Sequence, residues 1–147
     1  MEASLKEVKD SIGAIHDYPK PGIVFRDITP LLQNHDAFKS SIDALKQRYE
    51  KSGVTQIAAI EARGFLFGSA LAYALGCGIT LLRKPGKLPG KVVSQSYALE
   101  YGEDELQMHE NALTSNDKVL IIDDLLATGG TVLAADKLIR STGETVA

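Results

Sequence analysis

The 147-residue chain has no tryptophan, two methionines and a single cysteine, Cys77. One cysteine cannot close an internal disulfide, which suits a reducing compartment. Cys77 sits in the apolar run Leu75-Gly76-Cys77-Gly78-Ile79 and reads as a small hydrophobe. Its three histidines, His16, His35 and His109, are scattered without metal-ligand spacing. No apolar stretch approaches the ~20 residues a membrane helix needs. The start, Met1-Glu2-Ala3-Ser4, lacks a charged-then-apolar leader, so a cytoplasmic location is expected. There is no G-x-x-x-x-G-K-[ST] and no G-x-G-x-x-G, which removes the P-loop and dinucleotide signatures. Positive charge is also short: the net charge is -3 and the pI about 5.6, so neither nucleic acid nor an anionic membrane is an expected partner. Repeats and low-complexity tracts are absent.

What is present fits one soluble domain spanning 1–147, with 44% hydrophobic residues. Leu5, Val8, Ile12 and Ile15 have helical spacing and predict an N-terminal helix. It stops before the turn-rich Asp17-Tyr18-Pro19-Lys20-Pro21-Gly22. A second helix is expected from Asp36, as N-cap, to about Glu50, with Phe38, Ile42, Leu45 and Tyr49 inward and Gly53 as its stop. Alternation follows. Ile57–Ile60 reads as a strand, Gly64–Leu75 as a helix ended by Gly76, and Ile79–Arg83 and Val119–Asp123 as two more strands. Val132–Arg140 reads as a helix on Leu133, Leu138 and Ile139, stopped by Gly143. Strands separated by helices predict an α/β parallel sheet. An insert of about 84–117, with Tyr97, Leu99, Tyr101, Leu106 and Met108 alternating with polar residues, predicts an antiparallel excursion or flap. Glu144-Thr145-Val146-Ala147 reads as the opening of another strand.

The chemistry is densest in Val119-Leu120-Ile121-Ile122-Asp123-Asp124-Leu125-Leu126-Ala127-Thr128-Gly129-Gly130-Thr131. An apolar β-branched run, read as a buried parallel strand, ends in two carboxylates, passes a small-residue turn and enters a helix. The glycine pair lets backbone approach a ligand, and the helix N-terminus favours phosphate. Carboxylates only accept hydrogen bonds, so beside an anion site they suit hydroxyls next to a phosphate, as in a ribose phosphate. A capping role for Asp124 or Thr128 accounts for one acid but not for two plus the glycines.

A second cluster, Glu61-Ala62-Arg63-Gly64-Phe65-Leu66-Phe67-Gly68, falls where a strand gives way to a helix. Ligands of open α/β sheets bind at such strand ends, and the guanidinium of Arg63 suits an anion. The third, Arg83-Lys84-Pro85-Gly86-Lys87-Leu88-Pro89-Gly90-Lys91, gathers four cations in a proline- and glycine-rich loop, which suits a polyphosphate that must be gripped and released. Read alone, it is a solvated charge run.

The strand–acid-pair–A-T-G-G-T–helix order resembles the signature of the type I phosphoribosyltransferases. With Tyr18–Asp27, Glu61–Gly68, Arg83–Pro89 and Ser96–Gly102, the chain is similar to their adenine-specific family from about Asp17 to Ala147. The resemblance implies a parallel sheet flanked by helices, with a flap. It implies transfer of phosphoribosyl from phosphoribosyl pyrophosphate to adenine, giving AMP and pyrophosphate, with Mg²⁺ held through pyrophosphate and ribose oxygens, and a homodimer. By resemblance Ala127, Thr128, Gly129, Gly130 and Thr131 hold the 5′-phosphate, and Asp123 and Asp124 take the ribose hydroxyls. Arg63, Arg83, Lys84 and Lys87 hold pyrophosphate. Val24, Phe25 and Arg26 meet adenine, Glu100 moves its proton and Tyr101 closes the flap. The family continues past Ala147 by a closing segment that this chain is expected to lack. Two alternatives remain at this level: a ribose-phosphate sensor, and an enzyme for hypoxanthine, guanine or orotate.

Overall fold

The computed structural model describes residues 2–99, 101–124, 129–142 and 145–146. The chain divides into two compact units, Met1–Arg48 and Tyr49–Ala147.

The first unit begins with α1 (Glu2–Asp10), followed by β1 (Gly13–His16), β2 (Val24–Asp27), α2 (Thr29–Gln33) and α3 (His35–Tyr49), whose last residue enters the second unit. The predicted N-terminal helix is shorter than its apolar spacing implied. Ile12 lies past its end, and Ile15 sits in β1 opposite Phe25 of the antiparallel β2. Cross-strand pairing of a β-branched with an aromatic residue wins over the local periodicity. The intervening turn is closed by Asp17, whose Oδ1 accepts the Gly22 N–H at 2.8 Å. The Tyr18 and Phe25 rings meet edge-on with centroids 5.4 Å apart. The second expected helix also starts differently. Asn34, not Asp36, caps α3, with its Oδ1 accepting the Ala37 N–H at 3.1 Å; Asp36 lies in the first turn, where its charge suits the helix dipole. Ile42 and Ala37 are buried, and Phe38, Leu45 and Tyr49 are half-buried.

The second unit contains β3 (Gln56–Ile60), α4 (Gly64–Leu75), β4 (Gly78–Leu82), β5 (Val92–Ala98), β6 (Glu103–His109), β7 (Lys118–Ile122), α5 (Gly130–Ser141) and β8 (Thr145–Val146). Four strands run in the order β4-β3-β7-β8, and all are parallel, as the alternation predicted. Ile57, Ala58, Ala59 and Ile60 are all buried, the mark of a strand covered on both faces. The Ala59 side chain leaves room for α4 to press close at Gly68, where an added Cβ would stand 2.7 Å from Ala59 Cβ. Gly76 ends that helix at φ 76°.

Leu82, Leu106, Met108, Leu138 and Ile139 are fully enclosed in one apolar cluster. Leu133, expected to face inward, is 61% exposed; Ala134 and Ala135 are buried in its place. Leu138 and Ile139 face inward as expected, and only Leu133 is misplaced, because two alanines carry less hydrophobic weight than one leucine. Gly143 lies outside the described residues. The insert is an antiparallel hairpin, β5–β6, joined to the end of β4 by paired backbone bonds between Arg83 and Gln107 of 2.9 and 2.7 Å. At the other end of the sheet Asp117 Oδ1 accepts the Thr55 hydroxyl at 2.8 Å, and its Oδ2 accepts the Thr114 N–H at 2.9 Å.

Candidate active site

Parallel pairing aligns the carboxyl ends of three strands. Ile60 of β3 is level with Leu82 of β4, and Ala59 with Ile122 of β7. The residues that follow, Glu61 to Arg63, Arg83 and Lys84, and Asp123 and Asp124, therefore emerge along one edge, where open α/β sheets bind ligands. The strands end at Leu82 and Ile122, one residue earlier than predicted, which leaves Arg83 and Asp123 to the edge.

Gly64 sets the spacing. A Cβ there would lie 3.1 Å from both the Asp123 Cα and the Ile122 carbonyl oxygen. This lets the first turn of α4 close on the end of β7, so that Arg63 Nε reaches Asp124 Oδ2 at 3.0 Å. Asp123 Oδ1 accepts the backbone N–H of Asp124 at 2.8 Å. Burial, followed by a carboxyl hydrogen bond with Asp124, pushes the Asp123 pKa up to about 6. Two crowded carboxylates at a strand end are a costly arrangement for structure alone.

The cations after β4 also have partners. Arg83 Nε lies 3.4 Å from Glu61 Oε1, an ion-pair contact that makes no hydrogen bond, so this buried N–H has no acceptor among the described residues. The Arg83 guanidinium stands 5.6 Å from the centre of the Phe65 ring. The Lys84 N–H donates to Glu61 Oε1 at 2.5 Å, while its ammonium bonds Asp104 and the Tyr97 hydroxyl. Lys87 is exposed in the loop beyond.

Gly129 takes φ 85°, a left-handed conformation that glycine tolerates, and caps α5 with no side-chain bond. Gly130 opens the helix and Thr131 is half-buried in its first turn. Among the described residues no side chain caps α5, and Asp124 pairs with Arg63. Ala127, Thr128 and Glu100 lie outside the described residues. Tyr101 is 86% exposed between β5 and β6. In the other unit, Val24 and Arg26 are exposed on β2 and Phe25 is half-buried against Tyr18.

A family model described as the phosphoribosyl transferase domain matches residues 27–146. The chain is 73% identical over 146 residues to an adenine phosphoribosyltransferase of Idiomarina loihiensis, covering 99% of this chain and 82% of that one. The chain belongs to the adenine phosphoribosyltransferase family. Solved structures agree with that membership. An adenine phosphoribosyltransferase of Thermoanaerobacter pseudethanolicus superposes with a TM-score of 0.93 at 51% identity, covering 97% of this chain and 83% of that one. The Saccharomyces cerevisiae enzyme, solved with adenine and an imino-altritol bisphosphate, gives 0.95 at 36% identity, covering 99% and 85%. The parallel sheet with flanking helices is thus the fold of the phosphoribosyltransferases.

Three residues beside this edge were given no role there by the sequence. Tyr97 and Asp104 face each other across the hairpin, a pairing that needs the register of β5 and β6. Gly64 was read as a helix start within the second cluster, with no role of its own. Its adjacency to Arg63 was the available signal that backbone approaches there.

Proposed function

We propose that this protein transfers the 5-phosphoribosyl group from phosphoribosyl pyrophosphate to adenine, releasing AMP and pyrophosphate in purine salvage. The observation that carries the reading is the Asp123–Asp124 pair set against Arg63 where three parallel strands end. Adenine N9 attacks the anomeric carbon as the bond to the pyrophosphate oxygen breaks, and the N9 proton passes to a base. Positive charge grows on the ribose in the transition state, and Asp123 and Asp124, accepting from its 2′- and 3′-hydroxyls, stabilise it. Arg63, Arg83, Lys84 and Lys87 receive the leaving pyrophosphate; the buried Arg83 N–H, without an acceptor among the described residues, favours an oxyanion there. The turn Ala127–Thr131 holds the 5′-phosphate, supported by the left-handed Gly129 and the α5 N-terminus.

Val24, Phe25 and Arg26 are assigned to the adenine edge and face, Glu100 to the N9 proton and Tyr101 to closing the hairpin as a flap over the reacting ribose, which keeps water out. Among the described residues no group of three or more His, Cys, Asp or Glu could hold a metal. Two hard carboxylates at the edge suit a Mg²⁺ carried mainly by substrate oxygens. Bound in that way, the ion would neutralise charge on the leaving group. No helix among the described residues is long and apolar enough to cross a membrane. A cytoplasmic homodimer belongs to the same reading, and light scattering tests the assembly. The base is tested by offering adenine, hypoxanthine, guanine and orotate in competition: adenine is consumed preferentially, and equal or greater use of another base overturns the assignment.

A further inference from the structure

At rest, the cations of the strand-end edge are matched with the protein's own carboxylates: Arg63 with Asp124, Arg83 with Glu61, and Lys84 with Asp104. The first two acids lie beside their partners on the sheet edge. Asp104 is different, because it comes from the hairpin. It stands level with Tyr97 across β5–β6, and both reach the same ammonium: the Tyr97 hydroxyl lies 2.8 Å from Lys84 Nζ and 3.3 Å from Asp104 Oδ2. The Lys84 backbone is held independently by Glu61 at 2.5 Å. Its side chain can therefore turn away from the hairpin without displacing the main chain. Asp104 is fixed as well, since its Oδ1 accepts the Glu105 N–H at 2.8 Å. Burial works against the Lys84 charge, yet the bonds to Asp104 and Tyr97 carry its pKa above the usual lysine value. The same ammonium holds the Asp104 carboxyl below the usual carboxylate range.

We propose that Asp104 is a positioning residue that acts as the resident counter-ion of Lys84, competing with pyrophosphate for its ammonium and so promoting release of that product. This rests on Lys84 belonging to the pyrophosphate site. An anion entering there takes Lys84 from Asp104 and Tyr97, and the fixed carboxylate competes to draw the ammonium back when the reaction is over. The pair is partly exposed, with side chains 37% and 28% accessible, so the competition is modest: a pair worth about 1 kcal/mol changes affinity roughly five-fold.

The test is calorimetric titration of the full chain with inorganic pyrophosphate and magnesium. Asp104→Asn should bind several-fold more tightly than the wild type, Tyr97→Phe less so, and Asp104→Glu should restore the wild-type value. Glu103→Gln removes the same charge from an exposed neighbour and should change little. In a Lys84→Met background, Asp104→Asn should lose its effect, which separates a counter-ion from a general charge change or a structural role. Tightening that persists without Lys84 overturns the proposal, as does unchanged or weaker binding in a folded Asp104→Asn protein. Absence of pyrophosphate binding by the wild type overturns the underlying site assignment and the counter-ion role with it.

Discussion

Asp123→Asn separates what the edge does for activity from what it does to stability. Folding raises this carboxyl from an ordinary value of ~3.9 to about 6, chiefly through burial and then through its bond with Asp124. The native state therefore binds the proton more tightly than the unfolded chain does. Stability is highest with the proton on and falls as the pH rises between ~4 and about 6; above that window the whole cost is in place. A shift of about two units is ~3 kcal/mol, and partial solvent access to the site reduces it to about 1.5 kcal/mol. Asparagine is neutral at every pH and keeps an Oδ1 to accept the Asp124 N–H, the 2.8 Å bond of the native protein. The variant should therefore melt ~3–6 °C higher than the wild type at pH 7.5 and at nearly the same temperature at pH 4, while losing most of its turnover. Paired thermal melts at the two pH values check this. An equal shift at both, or a less stable variant at pH 7.5, refutes a strained carboxylate at the ribose site.

Other perturbations probe the frame. Gly64→Ala puts a Cβ 3.1 Å from the end of β7; kcat/KM for phosphoribosyl pyrophosphate should fall at least ~ten-fold with a much smaller change in melting temperature, and steady-state kinetics read it. Asp117→Ala removes acceptors for Thr55 and Thr114 at the opposite end of the sheet, costing ~1–2 kcal/mol at pH 7. The Thr114 N–H, donated to the carboxylate, does most to lower this pKa, so the stabilisation is present above the ordinary carboxylate pKa and lost as the pH falls through the depressed one. Denaturant melts should show the variant and wild type converging in strong acid. Leu138→Ala empties a fully buried position and should cost ~2–5 kcal/mol in urea unfolding.

The parallel sheet was legible because Ile57–Ile60 and Val119–Ile122 are apolar runs bounded by turn residues, with a glycine-stopped helix between them. The paired acids and the glycine pair could be placed at a strand end and a helix start because local sequence determines such a connection. Non-local pairings were less accessible. Ile15 matched a helical spacing until its strand partner Phe25 was known, and nothing near Asp104 in the sequence points to Lys84. The N-cap was misplaced by two residues because Asn34 and Asp36 are both good capping residues, and only the backbone path selects between them. Leu133 misled by hydrophobicity, since the close contact of α5 needed small side chains at Ala134 and Ala135 instead.

The most direct test of the ribose-phosphate edge is AMP formation from adenine and phosphoribosyl pyrophosphate with magnesium, measured on the wild type and on Asp123→Asn/Asp124→Asn. Robust turnover by the wild type and its near-complete loss in a folded double variant is the predicted result. A folded double variant that makes AMP as fast as the wild type, or a wild type that binds phosphoribosyl pyrophosphate and makes none, would contradict the account.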